Sequence, residues 1–172
     1  TIPNIQLVPE YAYNFSLGIG KKINFNNIQF SFSSSSFITI LDNVITKQSL
    51  EINGSNSIYY DSNYYEILAN QNSEIGIVYG LSGSLSITFF KNLKFYSSLC
   101  YTSGILENEQ IPMSHIPPLF GKLNLNYTFK KLEFQILNNF NAEKINKLFG
   151  PGNTDNPLEA SPMGYPSWWI LN

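Results

Sequence analysis

Residues 75–89, Ile75-Gly76-Ile77-Val78-Tyr79-Gly80-Leu81-Ser82-Gly83-Ser84-Leu85-Ser86-Ile87-Thr88-Phe89, put a bulky apolar or aromatic side chain at every odd position except Gly83. Most even positions hold Gly, Ser or Thr. Successive side chains of a strand point to opposite faces, so the pattern predicts one apolar face and one small, polar face. A soluble, half-buried strand has the same alternation but is usually only about 5 or 6 residues long. A tilted strand crossing a bilayer needs about 9 to 11 residues and can project beyond it. The length of the run therefore favours a piece of a transmembrane β-barrel.

The composition agrees. Of 172 residues, 43% are hydrophobic, 15% aromatic and only 13% charged, where soluble chains carry about 25% charged residues. Polarity comes from Asn and Ser, as on a neutral lumen-facing wall; a secreted β-protein rich in Asn and Ser is the plainer alternative. A net charge of −2 without dense lysine clusters gives no nucleic-acid footprint. Cys100 is the only cysteine and has no internal disulfide partner; its even, small-residue position suits a space-filler. No run approaches the ~18 apolar residues of a membrane helix, which does not argue against a membrane location, because barrel strands give a weak signal per segment. The chain opens at Thr1 without a signal peptide, as a mature or internal fragment would.

Read along the chain, Tyr11, Tyr13, Phe15, Leu17 and Ile19 alternate with small residues in a strand expected to end near Lys21-Lys22, before a connection at Asn26-Asn27. Ile28, Phe30 and Phe32 resume the alternation, which returns in phase at Ile38, Ile40 and Val44 after Ser33 to Ser36. Preserved parity predicts one strand through the serines to about Thr46, not a linker. Residues 47–69 read as a long loop with a turn at Asn53-Gly54 and a small hairpin of its own. The strand quoted above is expected from about Asn70 to Phe90, turning at Lys91-Asn92. Leu93, Phe95, Leu99 and Tyr101 mark the next strand, and 105–118 another long connection. Leu123 to Phe129, a turn at Lys130-Lys131, and Leu132 to Phe140 form a further pair. Residues 142–166, rich in Pro, Gly and Asn, read as loop, with only a short helix candidate at 142–149; a last strand begins at Ser167.

Short connections thus alternate with long ones, the asymmetry of outer-membrane barrels, whose turns are short on the periplasmic side and long outside. Phe89, Phe90, Phe95, Tyr96, Phe129 and Phe134 lie near the short turns; Tyr101, Phe140, Trp168 and Trp169 lie toward the long loops. Two aromatic girdles at two membrane interfaces account for both groups. An open sheet would leave backbone groups unpaired in lipid at several kcal/mol each, roughly. About seven strands are too few to enclose a wide lumen, so the sheet is expected to close with further strands.

Four phrases carry a family resemblance. Val8-Pro9-Glu10-Tyr11 through Asn14 to Gly18 resembles a strand opening of the form PE-x-x-x-N-x-E-x-G, with Ser16 in place of the acid. Phe37 to Ile45 is similar to a strand ending in x-D-x-I around Asp42. Asn70 to Leu81 resembles an N-x-x-x-x-x-x-G-x-E strand, with Ser82 in place of the acid. Pro112-Met113-Ser114-His115-Ile116-Pro117-Pro118 resembles the PL-x-x-x-PP return from an extracellular loop. Together, across nearly the whole chain, they resemble the C-terminal barrel portion of TonB-dependent outer-membrane receptors, most like those of Bacteroidetes. The resemblance implies an all-β, antiparallel transmembrane barrel segment supplying about seven of some 22 strands, with the plug domain, the TonB-box segment and the final strands outside residues 1–172. It implies as partners the outer-membrane lipid and lipopolysaccharide, the plug, the remaining strands, TonB through the plug, and a small-molecule nutrient.

No catalytic constellation is present, and no enzyme activity, cofactor, metal or nucleic acid is expected. His115, the only histidine, reads as an exposed loop residue. Gly18, Gly20, Gly76, Gly80 and Gly83 do not precede a helix, so they form no phosphate loop; they suit strand positions facing a crowded interior, by resemblance the plug. The glycosylation sequons at Asn14 and Asn126 fall inside strands and are discounted. Tyr59, Tyr60, Tyr64 and Tyr65 are the candidate substrate contacts, because tyrosine offers a rigid amphipathic surface at low entropic cost; a structural hairpin over the rim is the competing account. The expected function is the barrel wall of an outer-membrane receptor for active uptake of an iron chelate, haem, cobalamin or similar nutrient. The alternatives are a plug-less porin-like or scaffold barrel subunit and a secreted β-sandwich binding module.

Overall fold

The computed structural model describes residues 2–72, 75–107, 110–151 and 154–172. Seven strands form one antiparallel sheet: β1 (Tyr11–Phe25), β2 (Ile28–Asp42), β3 (Ile75–Phe89), β4 (Leu93–Leu106), β5 (Phe120–Phe129), β6 (Leu132–Asn141) and β7 (Trp168–Leu171). Each pairs with its neighbours in the chain, β1 and β7 lying at the two ends of the order. A short strand, Ile111–Pro112, adds to β4. This is a simple up-and-down meander, the topology of a barrel wall, and not a sandwich of two sheets.

Register keeps the parity of the sequence across the whole sheet. Phe25 lies opposite Ile28, Ile28 opposite Phe89, Phe89 opposite Leu93, Leu93 opposite Tyr127 and Tyr127 opposite Phe134. Two residues further up, Ile23, Phe30, Ile87, Phe95, Leu125 and Ile136 form the next apolar row. From Phe89 to Tyr79 is ten steps, about 34 Å along the strand. At a tilt near 40° that is an apolar belt about 26 Å high, close to the band of a membrane barrel.

The other face is polar and concave. Gly18, Ser35, Ser82, Cys100 and Phe120 form one cross-strand row, and Gly20, Ser33, Ser84, Ser98, Lys122 and Asn139 the next. They line a trough of about 800 Å³. Cys100 borders this open trough, half-buried, so it is a trough lining and not a filler of packed space. The serine run is strand because its hydroxyls pair across it. Ser33 Oγ lies 2.7 Å from Ser84 Oγ and Ser35 Oγ 2.8 Å from Ser82 Oγ, and Ser34 Oγ donates to the Ser82 carbonyl.

Burial decides what kind of sheet this is. Among the described residues the buried apolar side chains are Val44, Ile67, Ala69 and Leu106, all at the long-loop end. Leu17 is 72% exposed and Phe25 69%. The accessible surface is 12366 Å², whereas a folded monomer of this mass exposes about 8,500 Å². A self-contained soluble domain buries its apolar face; this one leaves it bare and must be covered from outside.

Several boundaries differ from the sequence expectation. The first strand runs past Lys21-Lys22 to Phe25, since Ile23 and Phe25 continue the apolar face to a two-residue turn with Asn26 at φ 48°. The second ends at Asp42, not Thr46: Asn43 at φ 56° breaks the strand. The chain then starts a separate ladder, Ile45–Ser49 with Leu68–Asn72. The expected hairpin inside 47–69 is present as Ser57–Tyr60 with Asn63–Glu66. Residues 144–148 form a two-residue strand and one 3₁₀ turn rather than an α-helix.

The aromatics expected in two girdles divide between the faces. Phe89, Phe95, Phe129 and Phe134, and above them Tyr101, Phe140 and Trp169, share the apolar face by register. Tyr96 and Trp168 fall on the concave face, and Phe90 sits in a turn. Proximity in sequence to a strand end does not fix a side chain's face; parity does.

Candidate functional site

The long-loop end carries the tyrosine hairpin and a polar hub beside it in the loops. In the hairpin, Tyr59 pairs across the strands with Tyr64, and Tyr60 with Asn63. The Tyr59 and Tyr64 rings are 5.0 Å apart at 57°, and those of Tyr60 and Tyr65 6.5 Å apart in an edge-to-face arrangement. Offset aromatic pairs of this kind hold each other in place. Two left-handed residues, Asp61 (φ 47°) and Ser62 (φ 65°), make the tight turn. All four rings are exposed, Tyr64 at 76%. The structure thus brings the four tyrosines together as a projecting aromatic blade.

The hairpin stands on the Ile45–Ser49 and Leu68–Asn72 ladder, tied to the N-terminal segment. Ile2 N–H donates to the Leu68 carbonyl, and Asn72 Nδ2 donates to the carbonyls of Val8 and Asn43. Glu10 Oε2 accepts from Ile45 N–H.

Asp155 organises the other loops. Its Oδ1 accepts from Lys144 Nζ and from His115 N–H, both at 2.9 Å, and its Oδ2 from Gly150 N–H at 2.6 Å. Lys144 and Asp155 side chains are only 9% and 7% exposed. Burial pushes the Asp155 carboxyl upward; the donors Gly150, Lys144 and His115 outweigh it and hold the group below its ordinary value of 3.8. The Lys144 ammonium also lies 5.7 Å from the Phe149 ring centroid, and Tyr165 OH donates to the carbonyls of Asp155 and Asn156. This hub went unread in the sequence: its partners are up to 40 residues apart and no local spacing marks them.

His115 is exposed, as expected, at φ 62°; its contribution here is its backbone N–H. Among the described residues no three His, Cys, Asp or Glu side chains gather as a metal site. The glycines divide into two groups. A Cβ on Gly76 would meet Val44 Cγ2 at 2.8 Å, and one on Gly80 would collide with Phe37 and the Tyr101 carbonyl. These two spaces are filled by the chain's own side chains. Gly18 and Gly20 open on the trough, while Gly83 belongs to the apolar face, opposite Ser34 and Leu99. A crowded interior therefore does not account for all five.

No protein-family model and no curated protein sequence matches the chain. Among solved structures, the chain is similar to "Copper transporter OprC", with a TM-score of 0.70 and 16% identity, over 97% of this chain. The match spans 23% of that chain's length. At this identity the likeness is one of fold: the seven-stranded sheet superposes on about a quarter of an experimentally determined transporter.

Proposed function

We propose that residues 1–172 form part of the barrel wall of a TonB-dependent-type outer-membrane receptor that takes up a scarce nutrient, such as an iron chelate, haem or cobalamin. The observation that carries this is the pairing of faces: a bare apolar belt about 26 Å high on one side and a polar, serine-lined trough on the other. The fold likeness to a solved transporter supports it.

In this reading the wall makes and breaks no bond. The apolar face contacts lipid, the trough faces a plug, and the loops with the tyrosine blade meet the cargo. Movement of the cargo draws on TonB acting through the plug.

The test uses the intact protein that contains this chain. It is expected to fractionate with the outer membrane and to need detergent for extraction. Nutrient-limited uptake is expected to stop when TonB is removed. Uptake that continues without TonB supports a passive porin instead, and a protein soluble without detergent overturns both.

A further inference from the structure

The short-turn end concentrates positive charge. Seven of the chain's ten lysines lie in this half of the sheet. Glu133 is the one acidic residue described there; all the others described, from Glu10 to Glu159, lie toward the long loops. The one ion pair among the described residues, Lys144–Asp155, is also at the loop end.

Backbone hydrogen bonds tie the first short turn to the second and the second to the end of β5. Phe90 N–H donates to the Asn27 carbonyl at 2.8 Å, and Thr128 N–H to the Asn92 carbonyl at 2.8 Å. The second bond carries the ladder between β4 and β5 one step beyond the Leu93–Tyr127 pair, so Lys91 adjoins Asn92 at the strand end where Lys130 and Lys131 follow Phe129. The Lys130 ammonium lies 5.4 Å from the centroid of the Phe129 ring. Phe129 pairs with Leu132 at the end of the apolar face, so this ammonium sits on the outward side of the sheet. Phe90, at the tip of its turn, is 69% exposed. Lys21 also faces outward, opposite Phe32, four residues in from the end of β1. A cation deep on a lipid-facing surface costs about 2–4 kcal/mol and much less near the interface. A lysine stem can run along apolar surface to bring its ammonium there.

We infer that this rim binds the phosphate groups of anionic phospholipid in the leaflet it borders, with Lys91, Lys130 and Lys131 as its principal cations and Lys21 reaching toward them. The inference rests on the membrane-wall reading above. The apolar rows that end at Phe25, Phe89, Tyr127 and Phe134 set the height. Aromatic rings settle at the boundary between acyl chains and headgroups. The turn lysines follow within two or three residues, at the level of the phosphates, and carboxylates are nearly absent there. Charge complementarity selects an anion, and the adjoining rings select one attached to acyl chains.

The test reconstitutes the intact protein in nanodiscs of phosphatidylcholine containing a minority of phosphatidylglycerol, and counts retained lipids by native mass spectrometry. Wild type is expected to retain phosphatidylglycerol in clear excess over its share of the bilayer. A surface lysine contributes about fivefold to such binding, so K91Q/K130Q/K131Q is expected to lower the excess by at least about tenfold. K47Q/K147Q, at the loop end, is expected to leave it unchanged, and heat-modifiable gel migration checks that each variant is folded. Equal retention of the two lipids by folded wild type overturns the inference while leaving the barrel reading intact. So does a rim that ignores lipid but crosslinks to an acidic soluble protein. A protein that never enters the bilayer overturns the barrel reading itself.

Discussion

The ring of Phe37 in β2 lies over Gly80 in β3, its cross-strand partner, and fills the space a side chain there would need. A glycine in a strand interior normally weakens it; here the aromatic ring of the neighbouring strand compensates. Phe140 covers Gly121 between β5 and β6 in the same way, on the opposite face. The sheet uses the device once toward the trough and once toward the lipid.

Gly80→Ala therefore costs stability although alanine is the smallest change. The new Cβ would collide with Phe37 and stand 2.7 Å from the Tyr101 carbonyl, which is backbone and cannot swing away. Overpacking of this kind costs about 1–3 kcal/mol. Denaturant unfolding of the full-length protein in detergent measures it. In a double-mutant cycle, Phe37→Ala is expected to relieve part of the cost and leave the carbonyl's share. Full additivity contradicts the contact.

The Lys144–Asp155 pair makes an asymmetric prediction. Removing Asp155 leaves a buried ammonium without its anion, which costs about 3–5 kcal/mol locally. Lys144→Met keeps the stem and leaves Asp155 two backbone donors, His115 and Gly150, so it should cost less. Hydrogen exchange of residues 110–119 and 142–151 reads the local stability. Asp155→Ala is expected to expose both segments, Lys144→Met to loosen mainly the second.

Acid acts on the same loops with a definite sign. The folded-state pKa of Asp155 is depressed, so its contribution is complete above the unfolded carboxylate range, near pH 4, and is lost as pH falls through the lower folded value. Limited proteolysis of the loops is expected to be flat from pH 7 to about 5 and to rise only below about 4. Asp155→Asn is expected to remove this transition. A transition that begins well above pH 5 contradicts the assignment to Asp155.

The strand parity was legible because it is a local, two-residue period, and it persists from Tyr11 to Leu171 with few interruptions. Turn positions followed from Asn, Gly and Lys between apolar runs, to within a few residues. Strand ends were less legible: Ile23 and Phe25 extend β1 beyond two lysines, and Asn43 stops β2 where the apolar pattern alone would carry on. The tyrosine hairpin was visible as a composition, but the Asp155 hub was not. Its donors, His115 on one side and Lys144 and Gly150 on the other, come from separate loops, and nothing in either indicates the other. The glycines misled for a similar reason. Whether a glycine faces open space or an arriving ring depends on the neighbouring strand's register.

The tyrosine blade gives a direct test of cargo contact. Its rings project from a two-stranded hairpin and are exposed, so Tyr59→Ala and Tyr64→Ala are expected to change global stability by no more than about 1 kcal/mol. A tyrosine central to a contact contributes upwards of about 1 kcal/mol to binding, a fivefold or larger loss of affinity on truncation. Concentration-dependent uptake in whole cells is expected to show a raised half-saturation with an unchanged maximum rate. Unaltered half-saturation in the Tyr59/Tyr64 double variant assigns the hairpin a structural role.

Opposite faces of one strand give the sharpest check on the wall itself. Leu85 lies on the apolar face near mid-height of β3, opposite Phe32 and Ser97, while its neighbour Ser84 points into the trough against Ser33. Leu85→Arg puts a guanidinium in the lipid belt at a cost of about 2–4 kcal/mol. Ser84→Arg loses one hydroxyl pair, about 1 kcal/mol, and extends a charge into a polar trough. Folding of the full-length protein into lipid vesicles, followed against urea, should show a large loss for Leu85→Arg and a small one for Ser84→Arg. Large losses for both mean that the trough side is packed as tightly as the apolar face and is not a polar lumen. Equal and small losses mean that neither face meets a hydrocarbon environment, and the membrane assignment fails with them.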